Sequence, residues 1–281
     1  MNLIPWLFLF AGAALLWLPD RFRPLSYALL IAGYGAATLN GHLDFPALVP
    51  VLLLGLSAVL IQREHWIRAA GFVLFTLTAT VLALHRAPGF ENLEVITSDV
   101  LSEGAAPASL WLNLDKPLVG FWLMLFLPWC LAGPHTKHPV IQTALVLAGT
   151  VSVCLGLGFI TDSITWAPKW PEWGWLWALN NLLLVSMAEE AFFRGFVQGG
   201  MERLWGHKRY GKTLALVLAA LLFGLAYHRG GMVWISLATV AGIGYGLAWR
   251  AGGLRSAVVT HFGLNLIHFS LFTYPILASA T

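Results

Sequence analysis

Charge is scarce in this chain: Asp, Glu, Lys and Arg make up 10% of its 281 residues, against 58% hydrophobic residues and a mean hydropathy of +0.75. A water-soluble domain of this length carries roughly a quarter of its residues charged. The shortage runs along the whole chain, which excludes a soluble domain held by one anchor and makes the lipid bilayer the expected surroundings. Cysteine is scarce too. Cys130 and Cys154 each stand alone in an apolar run, without CxxC or Cys/His spacing, which excludes a disulfide framework and a thiolate metal site. The first apolar run, Leu3 to Leu18, lacks a basic flank before it and ends in Leu-Pro-Asp instead of a small-residue cleavage site. It reads as a retained helix and not as a signal peptide. No internal repeat is present, so an inverted-repeat transporter has no direct support.

About twenty apolar residues cross a bilayer as a helix, and shorter runs do so when the bilayer thins or flanking residues snorkel. Ten runs qualify, at about 3–19, 25–39, 46–61, 66–85, 117–133, 139–160, 174–200, 212–228, 232–249 and 254–275. The second and third are short enough to form one re-entrant pair, so the expected architecture is an all-α, polytopic transmembrane bundle of 8 to 10 spans.

With ten spans, Lys and Arg should concentrate on alternate loops. One side collects Arg21, Arg23, Arg63, Arg68, Lys137, Arg203, Lys208, Arg209, Lys212, Arg250 and Arg255; the other has Arg86, Lys116, Lys169 and Arg229. This bias accounts for the net charge of +3 and a pI near 9.0 without a nucleic-acid partner. It places the 201–211 loop in the cytoplasm and both termini outside. The long loop between Arg86 and Lys116 is acidic and falls on the outer side. Trp166, Trp170, Trp173, Trp175 and Trp177 cluster where the seventh span should enter from that face, as an interfacial aromatic belt does.

Within the spans the clear ionised residues are Glu189, Glu190 and Arg194, in Met187-Ala-Glu-Glu-Ala-Phe-Phe-Arg-Gly195. Facing lipid, each would cost about 2.5 to 3.5 kcal/mol on insertion scales, so they should point into protein or a wet cavity. Glu190 and Arg194 are four apart and share a helix face, whereas Glu189 is turned about 100° away. A carboxylate in a low-dielectric setting suits a general base, which takes a proton from water and returns it to a leaving group. A polar clamp between helices is the plainer alternative. The next apolar segment ends in Leu222-Phe-Gly-Leu-Ala-Tyr-His228, and the last contains Thr260-His-Phe-Gly-Leu-Asn-Leu-Ile-His268. His261 and Asn265 share a face, with His268 one turn further on. Imidazole and carboxamide groups there can donate hydrogen bonds to a developing oxyanion. His268 taken alone reads more simply as a packing residue.

Glu-Glu-x-x-x-Arg, then a Phe-Gly-Leu helix ending in His, then His-x-x-x-Asn, resembles the CAAX-protease and bacteriocin-processing family of intramembrane glutamate-dependent endopeptidases. The resemblance covers roughly residues 139–277 and divides the chain into N-terminal membrane helices, 1–138, which serve as a candidate substrate-docking region, and a protease domain, 139–281. It implies that Glu189 and His228 activate water, that His261 and Asn265 stabilise the oxyanion, and that Glu190 and Arg194 hold the geometry. The family's second motif is usually Phe-x-x-x-His, and strict register from Phe223 puts Tyr227 in the histidine's place. His228 is the expected partner of Glu189 because Arg229-Gly-Gly ends the helix there and loosens the backbone; Tyr227 is the alternative.

The function expected is hydrolysis of a peptide bond in a membrane-associated protein or peptide. Prenylated tails, bacteriocin leaders and C-terminal sorting helices are all open as substrates. A proton-coupled transporter and a proteolytically inactive membrane scaffold of the same fold are the competing readings. No cofactor is implied; zinc held by Glu189, His228 and His261 stays open by residue type, though no His-Glu-x-x-His pair supports it.

Overall fold

The structure is a computed structural model that describes residues 2–134 and 136–280. Its elements in order are α1 (Ile4–Leu15), α2 (Arg23–Leu39), α3 (Leu48–Ile61), α4 (His65–Ala83), β1 (Leu93–Asp99), β2 (Ala108–Leu112), α5 (Asp115–Phe126) and α6 (Pro139–Ile160). A helical run over 174–205 follows, called α7, then α8 (Gly211–Ala226) and α9 (Gly231–Leu271). The chain is therefore mostly helical, as its composition requires of anything that must satisfy its own backbone in lipid.

Among the described residues, three helices are long and apolar enough to cross a membrane: α4, α6 and the stretch His228–Leu271. Ile4–Leu15, Phe45–Ile61 and Gly211–Ala226 are shorter apolar helices. Length and apolarity alone thus do not reach 8 to 10 spans. Part of the difference lies in α9, where Gly252 and Gly253 leave helical geometry. Gly253 has φ +69°, a left-handed conformation that glycine adopts without penalty. The halves on either side are about 30 and 27 Å long at 1.5 Å per residue, each near the thickness of a bilayer's hydrocarbon core. The break is braced by its neighbours: Leu254 N–H donates to Leu131 O at 3.4 Å, and Thr136 N–H to Ala251 O at 3.2 Å.

The acidic loop between Arg86 and Lys116 contains structure that the helix-oriented sequence reading did not anticipate. β1 and β2 pair as a two-stranded sheet. Along β2, Ala108, Leu110 and Leu112 are buried while Ser109 and Trp111 are exposed, the alternation a pleated strand imposes.

The chain forms two compact units. One comprises the chain up to Val95 with Trp111–Phe126 and Leu183–Ala188. In it Trp122 stacks on Phe75 with ring centroids 4.1 Å apart, and its indole N–H donates to Leu54 O at 2.9 Å. His85 Nδ1 lies 2.8 Å from the buried Asp115 carboxylate, which Asn92 also contacts. The other unit comprises Ile96–Leu110, Leu127–Leu182 and the chain from Glu189 onward. Its apolar core joins Cys154 and Leu155 of α6, Phe223 of α8, and Ala238, Ala241, Tyr245 and Leu264 of α9. Between α6 and α9 the Thr143 and Ser256 hydroxyls are hydrogen-bonded at 2.7 Å, so both polar groups are satisfied away from lipid.

Candidate active site

The α7 run is not a regular helix. Gly174–Asn180 is α-helical, Asn181–Ser186 is π-helical, Met187–Glu190 returns to α, Ala191–Gln198 is again π, and Gly199–Trp205 is α. Wide π turns inside α-helices recur at functional sites because they re-aim side chains that a regular helix would hold elsewhere. Here two such stretches flank the single α turn that carries Glu189 and Glu190.

All three charged residues of the first motif are withdrawn from the surface: Glu189 is 6% exposed, Glu190 and Arg194 are 0%. Arg194 Nε lies 3.2 Å from Glu190 Oε2, the pairing the four-residue spacing predicts. Its Nη2 donates to Gly242 O of α9 at 3.0 Å, and its guanidinium sits 4.4 Å above the Phe223 ring and 5.2 Å from that of Tyr245. A side chain on Gly242 would not fit: a Cβ there would lie 3.2 Å from Nη2 and 3.1 Å from Ala220 Cα. The missing side chain is what lets the α9 carbonyl reach the cation.

His261 joins this pair from the second half of α9. Its Nδ1 lies 2.8 Å from Glu190 Oε1, and its Nε2 lies 3.8 Å from Glu189 Oε2. The ring is 1% exposed and stacks on Tyr245, with centroids 4.5 Å apart and planes within 10°. The two glutamates therefore divide the imidazole between them. Glu190 holds one nitrogen by a close hydrogen bond, and the other is left facing Glu189 at more than hydrogen-bond distance. The break at Gly252–Gly253 sets the depth. His261 is eight residues past Gly253, about 12 Å along the helix, level with the acidic turn of α7.

The expectation that His228 faces Glu189 is corrected by the geometry. Tyr227 is the residue that does so, its hydroxyl donating to Glu189 Oε2 at 3.1 Å. α8 ends at Ala226, and Tyr227, four residues from Phe223, continues that residue's stripe, with ring centroids 5.2 Å apart. His228 opens a 3-10 turn, His228–Gly230, is exposed, and has Nδ1 3.2 Å from Leu225 O. The looser backbone at Arg229-Gly-Gly carries the histidine away from the site. Glu189, His228 and His261 are consequently not brought together, and no group of three or more His, Cys, Asp or Glu side chains among the described residues is arranged around a metal position.

Asn265, one turn beyond His261, donates from Nδ2 to Asn181 Oδ1 at 3.2 Å. His268 is turned to the end of its helix, with Nε2 3.0 Å from Thr273 O and its ring 5.3 Å from Tyr274. A cavity of about 100 Å³ adjoins the cluster. Tyr227, Tyr245, His261, Asn265 and His268 provide its polar edges, and its remaining walls are mainly apolar side chains of α6 and α9. Two contributors were invisible in the sequence. Tyr245 reads as one more aromatic in an apolar helix, and Asn181 lies in a π stretch that no local pattern announces.

The sequence profile of the family described as type II CAAX prenyl endopeptidase, Rce1-like, matches residues 171–267. Over those residues the chain is similar to the CAAX-protease family. The matched segment contains Glu189, Glu190, Arg194, Tyr227, His228, His261 and Asn265 and stops one residue short of His268. The match supports, at the level of that family, a membrane-embedded peptidase of the CAAX type. No curated protein and no solved structure matches the chain.

Proposed function

We propose that the chain is a glutamate-dependent intramembrane endopeptidase, with Glu189 as general base and Tyr227 in the place the family usually gives to a histidine. The observation that carries this reading is the buried convergence of the Glu189 carboxylate, the Tyr227 hydroxyl and His261 Nε2 beside the cavity. The Tyr227 O–H donates to Glu189 Oε2 and fixes the direction of the carboxylate that takes a proton from water. Hydroxide then adds to the peptide carbonyl carbon. Glu190, which Arg194 also contacts, holds the His261 ring through Nδ1, so that Nε2 and the Asn265 carboxamide are the groups offered to the oxyanion. Collapse breaks the C–N bond, and the proton on Glu189 passes to the departing amine. His228 takes no part, and the chemistry needs no metal. Both termini lie outside the cytoplasm, 139–281 supplies the protease domain, and the helices of 1–138 guide the substrate.

The test is cleavage of a membrane-protein extract by the reconstituted protein in heavy-oxygen water. New C-termini bearing the label should appear with the wild type and fall by at least about a hundredfold with Glu189→Gln, the low end of what a general base contributes. Retained cleavage in that variant refutes the role of Glu189. The tyrosine in the histidine position also favours a second reading, a proteolytically inactive scaffold of the same fold. Labelled termini absent from the folded wild type would decide for it.

A further inference from the structure

The cavity has a direction. From α6 it takes Cys154, Leu155 and Gly158, all in the last two turns, and from the following loop Ser163 and Ile164. From α8 it takes Phe223 and Tyr227, again the end of the helix. From α9 it takes residues between Trp234 and Tyr245 before the break, and between His261 and His268 after it, with Pro275 and Ile276 beyond. Every one of these segments lies between the middle of the helix bundle and one of its ends. No lining residue comes from the first two turns of α6, from the first half of α8, or from the turns around Gly252–Gly253.

The two ends differ sharply in charge. At the end without the cavity stand Lys137, Arg203, Lys208, Arg209, Lys212, Arg250 and Arg255. At the cavity end stand Lys169 and Arg229, offset by Asp162 and Glu172. Short loops rich in Lys and Arg stay in the cytoplasm, so the cavity faces away from it. The Trp-rich segment lies at the cavity end. Trp166 packs edge-on against Phe272, and Trp170 and Trp177 pack on Phe269, placing indoles at the rim where a membrane interface favours them.

We infer that the catalytic cavity opens to the non-cytoplasmic side, and that the substrate is an extracytoplasmic peptide segment flanked by apolar residues, delivered after translocation. The inference rests on the peptidase reading for the word substrate, but its geometry does not. It excludes a prenylated tail presented from the cytoplasm. An apolar flank suits the walls built by Leu237, Ala238, Ala241, Leu264 and Ile276, which would strip water from a charged one at a cost.

The test is sidedness of thiol labelling in the full-length protein, with Cys130 and Cys154 replaced by Ser and one cysteine introduced at a time. Leu237→Cys reports the cavity and Lys208→Cys the basic end. A charged, membrane-impermeant thiol reagent should label Leu237→Cys in intact spheroplasts and Lys208→Cys only in inverted vesicles. Labelling of Leu237→Cys confined to inverted vesicles overturns the inference, and so does absence of labelling from both sides in folded protein. Labelling requires no catalysis. An outward cavity without cleavage would therefore refute the peptidase alone, and cleavage with an inward cavity would refute the orientation alone.

Discussion

Removing Arg194 should destabilise the protein far more than its single ion pair implies, and removing Glu190 with it should restore much of the loss. Arg194 and Glu190 are both fully buried and 3.2 Å apart. Arg194→Met deletes that contact, the bond to Gly242 O and the approach to the Phe223 face, and strands the Glu190 carboxylate. Breaking a buried pair from one side costs about 3 to 5 kcal/mol, most of it the uncompensated charge. Glu190→Gln strands the guanidinium and should cost a similar amount. The double variant buries no stranded charge from this pair, so its loss should resemble one single change, not the sum. That amounts to a coupling of about 2 kcal/mol or more, at the upper end for contacting residues. Equilibrium unfolding of the four proteins in bicelles measures it. Additivity within about 0.5 kcal/mol would refute the claim that this pair is one buried electrostatic unit.

Gly242→Ala should displace the Arg194 guanidinium and lower stability by about 1 to 3 kcal/mol, as overpacking does, while Gly149→Ala, where a Cβ meets nothing within 4 Å, should be close to neutral; thermal unfolding of both variants checks this. Partial burial in the 161–173 loop lowers the Lys169 pKa to about 8 from 10.5. Between those values the unfolded chain holds a proton that the folded one has released, so stability should rise with pH from about 8 to 10.5 and not fall. Unfolding midpoints across that range should show the wild type gaining on Lys169→Met; parallel curves would contradict the burial effect. Cleavage should survive chelator treatment, and activity lost to chelator and restored by zinc would replace the metal-free reading.

The parts of the site legible in the sequence are those that lipid makes expensive. Glu189, Glu190 and Arg194 stand out because charge in an apolar run must be turned inward, and His261 and Asn265 share a stripe that regular helical spacing reveals. The residue facing Glu189 was legible only as an alternative: helical register from Phe223 offers Tyr227, and a looser backbone at the end of α8 would have offered His228. Tyr245 escaped because stacking on His261 leaves no mark in a helix already rich in aromatics. The π stretches around Met187–Glu190 carry no mark in local propensity. In the fold, the boundary between the apolar runs at about 232–249 and 254–275 coincides with the departure from helical geometry at Gly252 and Gly253. The paired strands were missed because a short alternation within a long acidic loop is weak beside the helical signal.

The most direct test of the account compares Glu189→Gln, Tyr227→Phe and His228→Ala, reconstituted at equal amounts, by their rates of forming labelled C-termini from the same membrane-protein extract. The account predicts a rate near wild type for His228→Ala, a loss for Tyr227→Phe, and a loss of about a hundredfold or more for Glu189→Gln. A His228→Ala protein as inactive as Glu189→Gln, beside an unimpaired Tyr227→Phe, would contradict it.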